Sequence, residues 1–178
     1  MDKAAIFLDG GYFAKVLKNF DEPKVDFLKF SEILSKNGNS ERFRTYYYYC
    51  LPYQGSPPTE EERKRYSDAN KFISQLKKLP RFEIRLGKLS YQSGQFIQKR
   101  VDNLMTVDII KLSATGHIQK AIIVSGDSDL VPAVQESKDI GVIIQVYYYP
   151  RTIHDELFTL CDDRFEITKE LIDSCLRV

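Results

Sequence analysis

The sequence predicts an α/β domain in which helices flank a mainly parallel sheet, and three observations lead there. Short, wholly apolar runs such as Ala4 to Leu8 and Ala121 to Val124 suit strands buried on both faces. Stretches with helical spacing separate these runs, so strand and helix alternate along the chain. Both runs end in glycine and aspartate, Asp9-Gly10-Gly11 and Ser125-Gly126-Asp127, as expected where strands turn out of a sheet edge.

Each element follows in order. After the first strand, helical spacing runs through Tyr12 to Leu17 and again through Phe27, Phe30, Ile33 and Leu34, before the turn cluster Asn37-Gly38-Asn39. Phe43 to Leu51 is rich in aromatics and reads as a strand closing at Pro52. Gly55 to Pro58 is a loop. Thr59 followed by Glu60, Glu61 and Glu62 starts a helix with acids at its positive end, running to about Leu79 before Pro80. Phe82 to Leu89 alternates as a strand, and Gly94 marks a hairpin or loop before Phe96 and Ile97. Leu104 to Leu112 is helical until Gly116, and Ala121 to Val124 is a strand. A helix from about Leu130 to Asp139 stops at Gly141, and Val142 to Tyr149 is a strand. Ile153 to Leu160 reads as a helix, Arg164 to Ile167 as an extended piece, and the tail as a final helix. No repeat or linker divides the 178 residues, so a single domain spanning 1–178 is expected.

Composition narrows the function classes. A formal net charge of +1 removes global charge as an argument for a nucleic-acid partner, leaving only local distribution. The apolar runs are too short to cross a bilayer, and the start Met1-Asp2-Lys3 lacks the layout of a secretion signal, so a cytoplasmic, non-membrane protein is expected. Cys50, Cys161 and Cys175 are widely spaced, without a CxxC, and read as reduced thiols in or near the core.

The carboxylates carry the chemistry. In an open parallel sheet the carboxyl ends of the strands share one edge, and ligands bind in the crevice there. Asp9 and the Asp127/Asp129 pair converge at that edge if their strands are neighbours. Like charges so close repel unless a cation neutralises them, and hard divalent ions with oxygen ligands, Mg²⁺ or Mn²⁺, fit best. The plainer alternative is that Asp129 or Ser128 caps a helix and Asp9 stabilises a turn. A third cluster, Lys99-Arg100-Val101-Asp102, opens the helix carrying Asp108. Six helical residues leave Asp102 and Asp108 about 120° apart, so one metal cannot take both. Asp102 is the better ligand, and Asp108 supports it or touches a second ion.

Around the acids, Lys77, Lys78, Arg81, Arg85, Lys88, Lys99 and Arg100 are candidates to meet phosphate, with Lys99 and Arg100 favoured because they adjoin Asp102. Ser125 and Ser128 flank Asp127 and join the substrate-binding candidates. The runs Tyr46 to Tyr49 and Tyr147 to Tyr149 sit in strands and should be core or half-buried, whereas Tyr12 and Tyr53, near strand ends, are better placed to stack on bases. His117 and His154 lie in no motif and are expected to be structural. An aspartyl phosphatase would want an acid where Gly11 stands, and a Toprim-type site needs an early glutamate where Asp9 stands.

Four segments, in order, resemble the NYN-domain (LabA-like) branch of the PIN-like nucleases: Phe7-Leu8-Asp9-Gly10; Lys99-Arg100-Val101-Asp102 with Asp108; Val124-Ser125-Gly126-Asp127-Ser128-Asp129-Leu130-Val131-Pro132; and Leu157 to Phe165 with Asp163. The third is the most specific. The resemblance implies a three-layer α/β/α sandwich with a central mainly parallel sheet, Rossmann-like and PIN-like. It also implies an acidic pocket for Mg²⁺ or Mn²⁺ and ribonuclease activity, with RNA, single strands included, as the partner. Asp9, Asp102, Asp127 and Asp129 match the acidic motif positions, Asp108 is the further one, and Lys99 matches a basic position. The family usually carries Asn where this chain has Tyr12, and a phenol cannot both donate and accept as a carboxamide does. The alternative reading is therefore an RNA-binding or protein-interaction module with weak or no turnover. RNA against DNA, endo- against exonuclease action, and homo-oligomerisation stay open.

Overall fold

Residues 4 to 8 are wholly excluded from solvent in the computed structural model, which describes residues 1–177 except Ser93 and Arg100 and leaves out the side chains of 88–92, 95–99, 101 and 102. The reason is their place in the middle of a seven-stranded sheet. Strands β1 (Asp2–Asp9), β2 (Ser40–Cys50), β3 (Phe82–Gln92), β4 (Gln95–Lys99), β5 (Lys120–Val124), β6 (Ile143–Tyr148) and β7 (Asp163–Glu166) line up in the order β4-β3-β2-β1-β5-β6-β7. Neighbours are parallel except the hairpin β3–β4, which turns at Gly94 (φ +81°).

Helices α1 (Gly10–Lys18), α2 (Phe27–Asn37), α3 (Glu60–Leu76) and α7 (Lys169–Asp173) cover one face, where Ile6 and Leu8 pack with Phe13, Phe30, Leu34 and Ile73. Helices α4 (Val101–Ala114), α5 (Val131–Asp139) and α6 (Asp155–Leu160) cover the other, where Phe7 packs with Met105, Ile109, Val134 and Leu157. Successive residues of β1 thus enter opposite cores, which is why its sequence is continuously apolar rather than alternating. The tyrosine runs are part of this packing. Tyr48 and Tyr147 are at most 1% exposed, Tyr46 stacks on Phe7 at 5.6 Å, and Tyr147 stacks on Phe165 at 4.9 Å.

The topology sets the site. From β1 the chain winds one way to β2 and β3, and from β5 it winds the other way to β6 and β7. The direction reverses between β1 and β5, whose last paired residues are Leu8 and Val124. Such a reversal opens a crevice at the carboxyl edge. β3 pairs with β2 only as far as Gly87 opposite Cys50, so the β3–β4 hairpin runs on past that edge and returns the chain to it for the start of α4.

Boundaries differ from expectation where local chemistry overrides periodicity. Helix α3 ends at Leu76, three residues early, because Lys78 and Leu79 turn tightly onto the carbonyls of Gln75 and Leu76. Its start carries the full capping box: Glu62 N–H to the Thr59 hydroxyl at 3.1 Å, and Thr59 N–H back to the Glu62 carboxylate at 2.9 Å. The helix expected from Leu130 begins with a 3-10 turn at Ser128–Leu130, with α5 following it. Among the described residues no helix is long and apolar enough to cross a membrane.

Candidate metal centre

Asp9 is both the last residue of β1 and the N-cap of α1. Its Oδ1 accepts the Tyr12 N–H at 3.0 Å, satisfying one of the helix's orphan donors. Asp127 does the same for the 3-10 turn after β5, its Oδ1 accepting the Asp129 N–H at 2.9 Å. Capping and acid chemistry are therefore not alternatives here. Each carboxylate gives one oxygen to a turn and keeps a second.

Ser125 joins the two. Its hydroxyl donates to Asp9 Oδ2 at 3.3 Å and accepts the Asp127 N–H at 3.3 Å, and the residue is only 1% exposed. Asp9, Ser125 and Asp127 line one cavity of about 300 Å³ with Gly11, Tyr12, Lys15 and Gly126. Burial pushes the Asp9 carboxyl up from its ordinary value, and the Asp127 charge adds to that, while hydrogen bonds from Tyr12, Ser125 and Gly11 pull the other way. A buried acid held up partly by its acidic neighbour is what a cation would relieve. The described donors, two carboxylates and a hydroxyl, are hard oxygen ligands suited to Mg²⁺ or Mn²⁺. Among the described residues no three acids or other ligand side chains gather tightly enough to enclose an ion.

The other expected residues fall as follows. Asp102 is in the first turn of α4 and Lys99 ends β4, but their side chains, and all of Arg100, lie outside the described residues. Asp129 is exposed and Ser128 half-buried, and neither lines the cavity. Asp108 does not line the cavity that Asp9 and Asp127 share. Its Oδ2 accepts the Tyr48 hydroxyl at 2.8 Å and Arg85 Nε at 3.1 Å. The buried Tyr48 hydroxyl needs an acceptor, and Asp108 supplies it. Arg85 is likewise engaged, by Asp108 and by Glu83 at 3.6 Å. Replacing Asp108 by Ala is expected to cost about 2–3 kcal/mol by stranding both donors. In thermal melts that loss appears while Mn²⁺-induced stabilisation stays unchanged; loss of the Mn²⁺ response would restore Asp108 as a ligand.

Tyr12 has a structural role as well. Its hydroxyl accepts the Tyr149 N–H at 3.0 Å and pairs with the Thr152 hydroxyl at 2.7 Å, and that hydroxyl donates on to the Tyr149 carbonyl at 2.7 Å. The phenol thus clamps the β6–α6 connection against α1, and only its ring is left to face the cavity. Tyr12→Phe should cost about 1–2 kcal/mol by orphaning the Tyr149 N–H, read as a lower melting temperature; an unchanged one would contradict the clamp. His154 and His117 are exposed, His117 tilted 6.1 Å from Phe43, and neither lines the acid cavity.

Sequence reasoning missed Lys15. It stands one helical turn beyond Tyr12, and the pair at i and i+3 on the first helix after Asp-Gly-Gly was the available signal.

An open α/β domain with an acidic crevice at its topological switch point is the class that this fold and site define. The NYN domain family matches residues 3–169, and the chain belongs to that family, within the PIN-like nuclease superfamily. Similar proteins leave the chemistry unnamed. "Uncharacterized protein y4oD" of Sinorhizobium fredii is 34% identical over 59 residues, 33% of this chain and 28% of that protein's length. The crystal structure of a protein of unknown function, VPA0982 from Vibrio parahaemolyticus, superposes with a TM-score of 0.65 at 18% identity over 99% of this chain and 96% of the other. The second likeness confirms the fold.

Proposed function

We propose that this protein is a metal-dependent ribonuclease of the LabA-like branch, acting in the cytoplasm on RNA with Mg²⁺ or Mn²⁺. The observation that carries the reading is the pairing of Asp9 and Asp127 through Ser125 at the strand switch point. Asp9 and Asp127 would hold the ion, with Asp102 at the adjoining helix start and Asp129 completing the set. When bound, a divalent ion supplies Lewis-acid activation of water and neutralises charge on the scissile phosphate. Asp9 and Asp127, fixed by their capping bonds, enter that role without reorganising. Lys15, on the cavity wall, attracts and orients the phosphodiester, with Lys99 and Arg100 further candidates. Gly126 lets the backbone come close beside the acids, and the Tyr12 ring is the surface for a neighbouring base.

The test is incubation of the pure protein with end-labelled single-stranded RNA and DNA. Cleavage of RNA that needs Mn²⁺ or Mg²⁺ and stops in EDTA supports the proposal. Metal-independent cleavage, or none across varied substrates, defeats it. One observation favours a second reading, an RNA-binding module without turnover. The residue standing where the family carries Asn spends its hydroxyl on a loop clamp. RNA binding without cleavage would select that reading.

A further inference from the structure

A second cavity, of about 450 Å³, lies on the face of α1 roughly opposite the acid crevice, since Gly10, Phe13, Ala14 and Leu17 line it while Gly11, Tyr12 and Lys15 line the other. Its volume falls in the range of about 300–1,000 Å³ typical of small-molecule sites. The remaining wall is aromatic. Phe27 meets Tyr47 and Phe72 edge to face at 5.5 and 5.6 Å, and Tyr47 stacks with Tyr49 at 6.2 Å. Rings so interlocked form a preformed apolar slot rather than a surface that must rearrange.

Two features give the slot a polarity. The charged residues that line it are both cations, Lys24 and Arg177, held side by side by a backbone bond from Arg177 N–H to the Lys24 carbonyl at 2.9 Å. Among the described residues no carboxylate lines the cavity, and neither cation forms an ion pair. Inside, Tyr47 is 3% exposed, and its hydroxyl has no hydrogen-bond partner among the described residues. That hydroxyl reaches the helix wall, because a Cβ on Gly10 would stand 2.5 Å from it. Tyr47 lines the cavity, and its hydroxyl can donate to a ligand oxygen there.

We infer that this cavity is a binding site for a small amphipathic anion, with a flat apolar body between the rings, a polar atom toward the Tyr47 hydroxyl, and an anionic head at Lys24 and Arg177. The site is separate from the acid crevice and does not depend on the nuclease reading.

The probe is anilinonaphthalenesulfonate, a flat aromatic anion whose fluorescence rises in apolar surroundings, titrated into the full chain. One saturable site per chain is expected, with decanoate competing for it. The neutral counterpart phenylnaphthylamine should bind at least about tenfold more weakly, as should the probe to a Lys24→Glu, Arg177→Glu double variant, whose changes are exposed and fold-neutral. Ala14→Trp, on the exposed mouth of the slot, should also lose binding while circular dichroism stays unchanged. Absence of a saturable site, equal affinity for the neutral compound, indifference to both variants, or displacement by a mononucleotide but not by decanoate would each overturn the inference.

Discussion

Asn at position 9 or 127 is expected to remove RNA cleavage by at least roughly 100-fold, since even residues that only support metal ligands cost 10–100-fold. The substitution is informative because the cap survives: an Asn Oδ1 can still accept the Tyr12 or Asp129 N–H. What disappears is charge. The folded state raises the Asp9 carboxyl above its unfolded value, chiefly through burial. A raised acid binds its proton more tightly when folded, so its contribution to stability is present below the ordinary carboxylate range and is lost as pH rises through the raised value. At neutral pH in EDTA the ionised Asp9 therefore costs stability, and Asp9→Asn should melt at a higher temperature than the parent. Activity lost together with stability gained marks a carboxylate kept for function. A variant both inactive and less stable would mark a structural one.

Gly126→Ala should be strongly damaging. A Cβ there would overlap the Thr152 carbonyl oxygen and stand 2.9 Å from its carbon and 3.0 Å from Ile153 Cα, all backbone atoms. Those atoms cannot easily withdraw. His154 N–H is bonded to the Gly126 carbonyl at 3.0 Å, and the Tyr12 hydroxyl holds the Tyr149–Thr152 turn from the other side. Overpacking against fixed backbone costs about 3 kcal/mol, which at this chain length lowers the melting temperature by roughly 6–12 °C. The displaced Asp127 would weaken Mn²⁺ binding as well. Calorimetry of the variant checks both, and an unchanged melting temperature would mean that the β6–α6 connection does not rest on Gly126.

The strands and their edge were legible because burial on both faces writes itself into sequence as continuous apolar runs, as in Ala4 to Leu8 and Ala121 to Val124. The convergence of Asp9 with Asp127 was legible only on the condition that β1 and β5 are neighbours, which the sheet order satisfies. Roles set by partners far along the chain were not legible. Asp108 depends on Tyr48, sixty residues away, and Tyr12 on Tyr149 and Thr152, more than 130 away. Sequence position suggested a ligand and a stacking surface, and it carried no sign of the hydrogen bonds that the Asp108 carboxylate and the Tyr12 hydroxyl also make. Lys15 escaped notice because its spacing of three from Tyr12, though readable, is equally common on helix faces open to solvent.

The most direct measurement is the anomalous scattering of Mn²⁺ soaked into crystals of the protein. A peak is predicted in the crevice at the carboxyl ends of β1 and β5, roughly 2.0–2.3 Å from one oxygen each of Asp9 and Asp127, and absent from both Asn variants. A crevice without manganese, or an ion bound by one of these aspartates while the other turns away, would contradict the shared site.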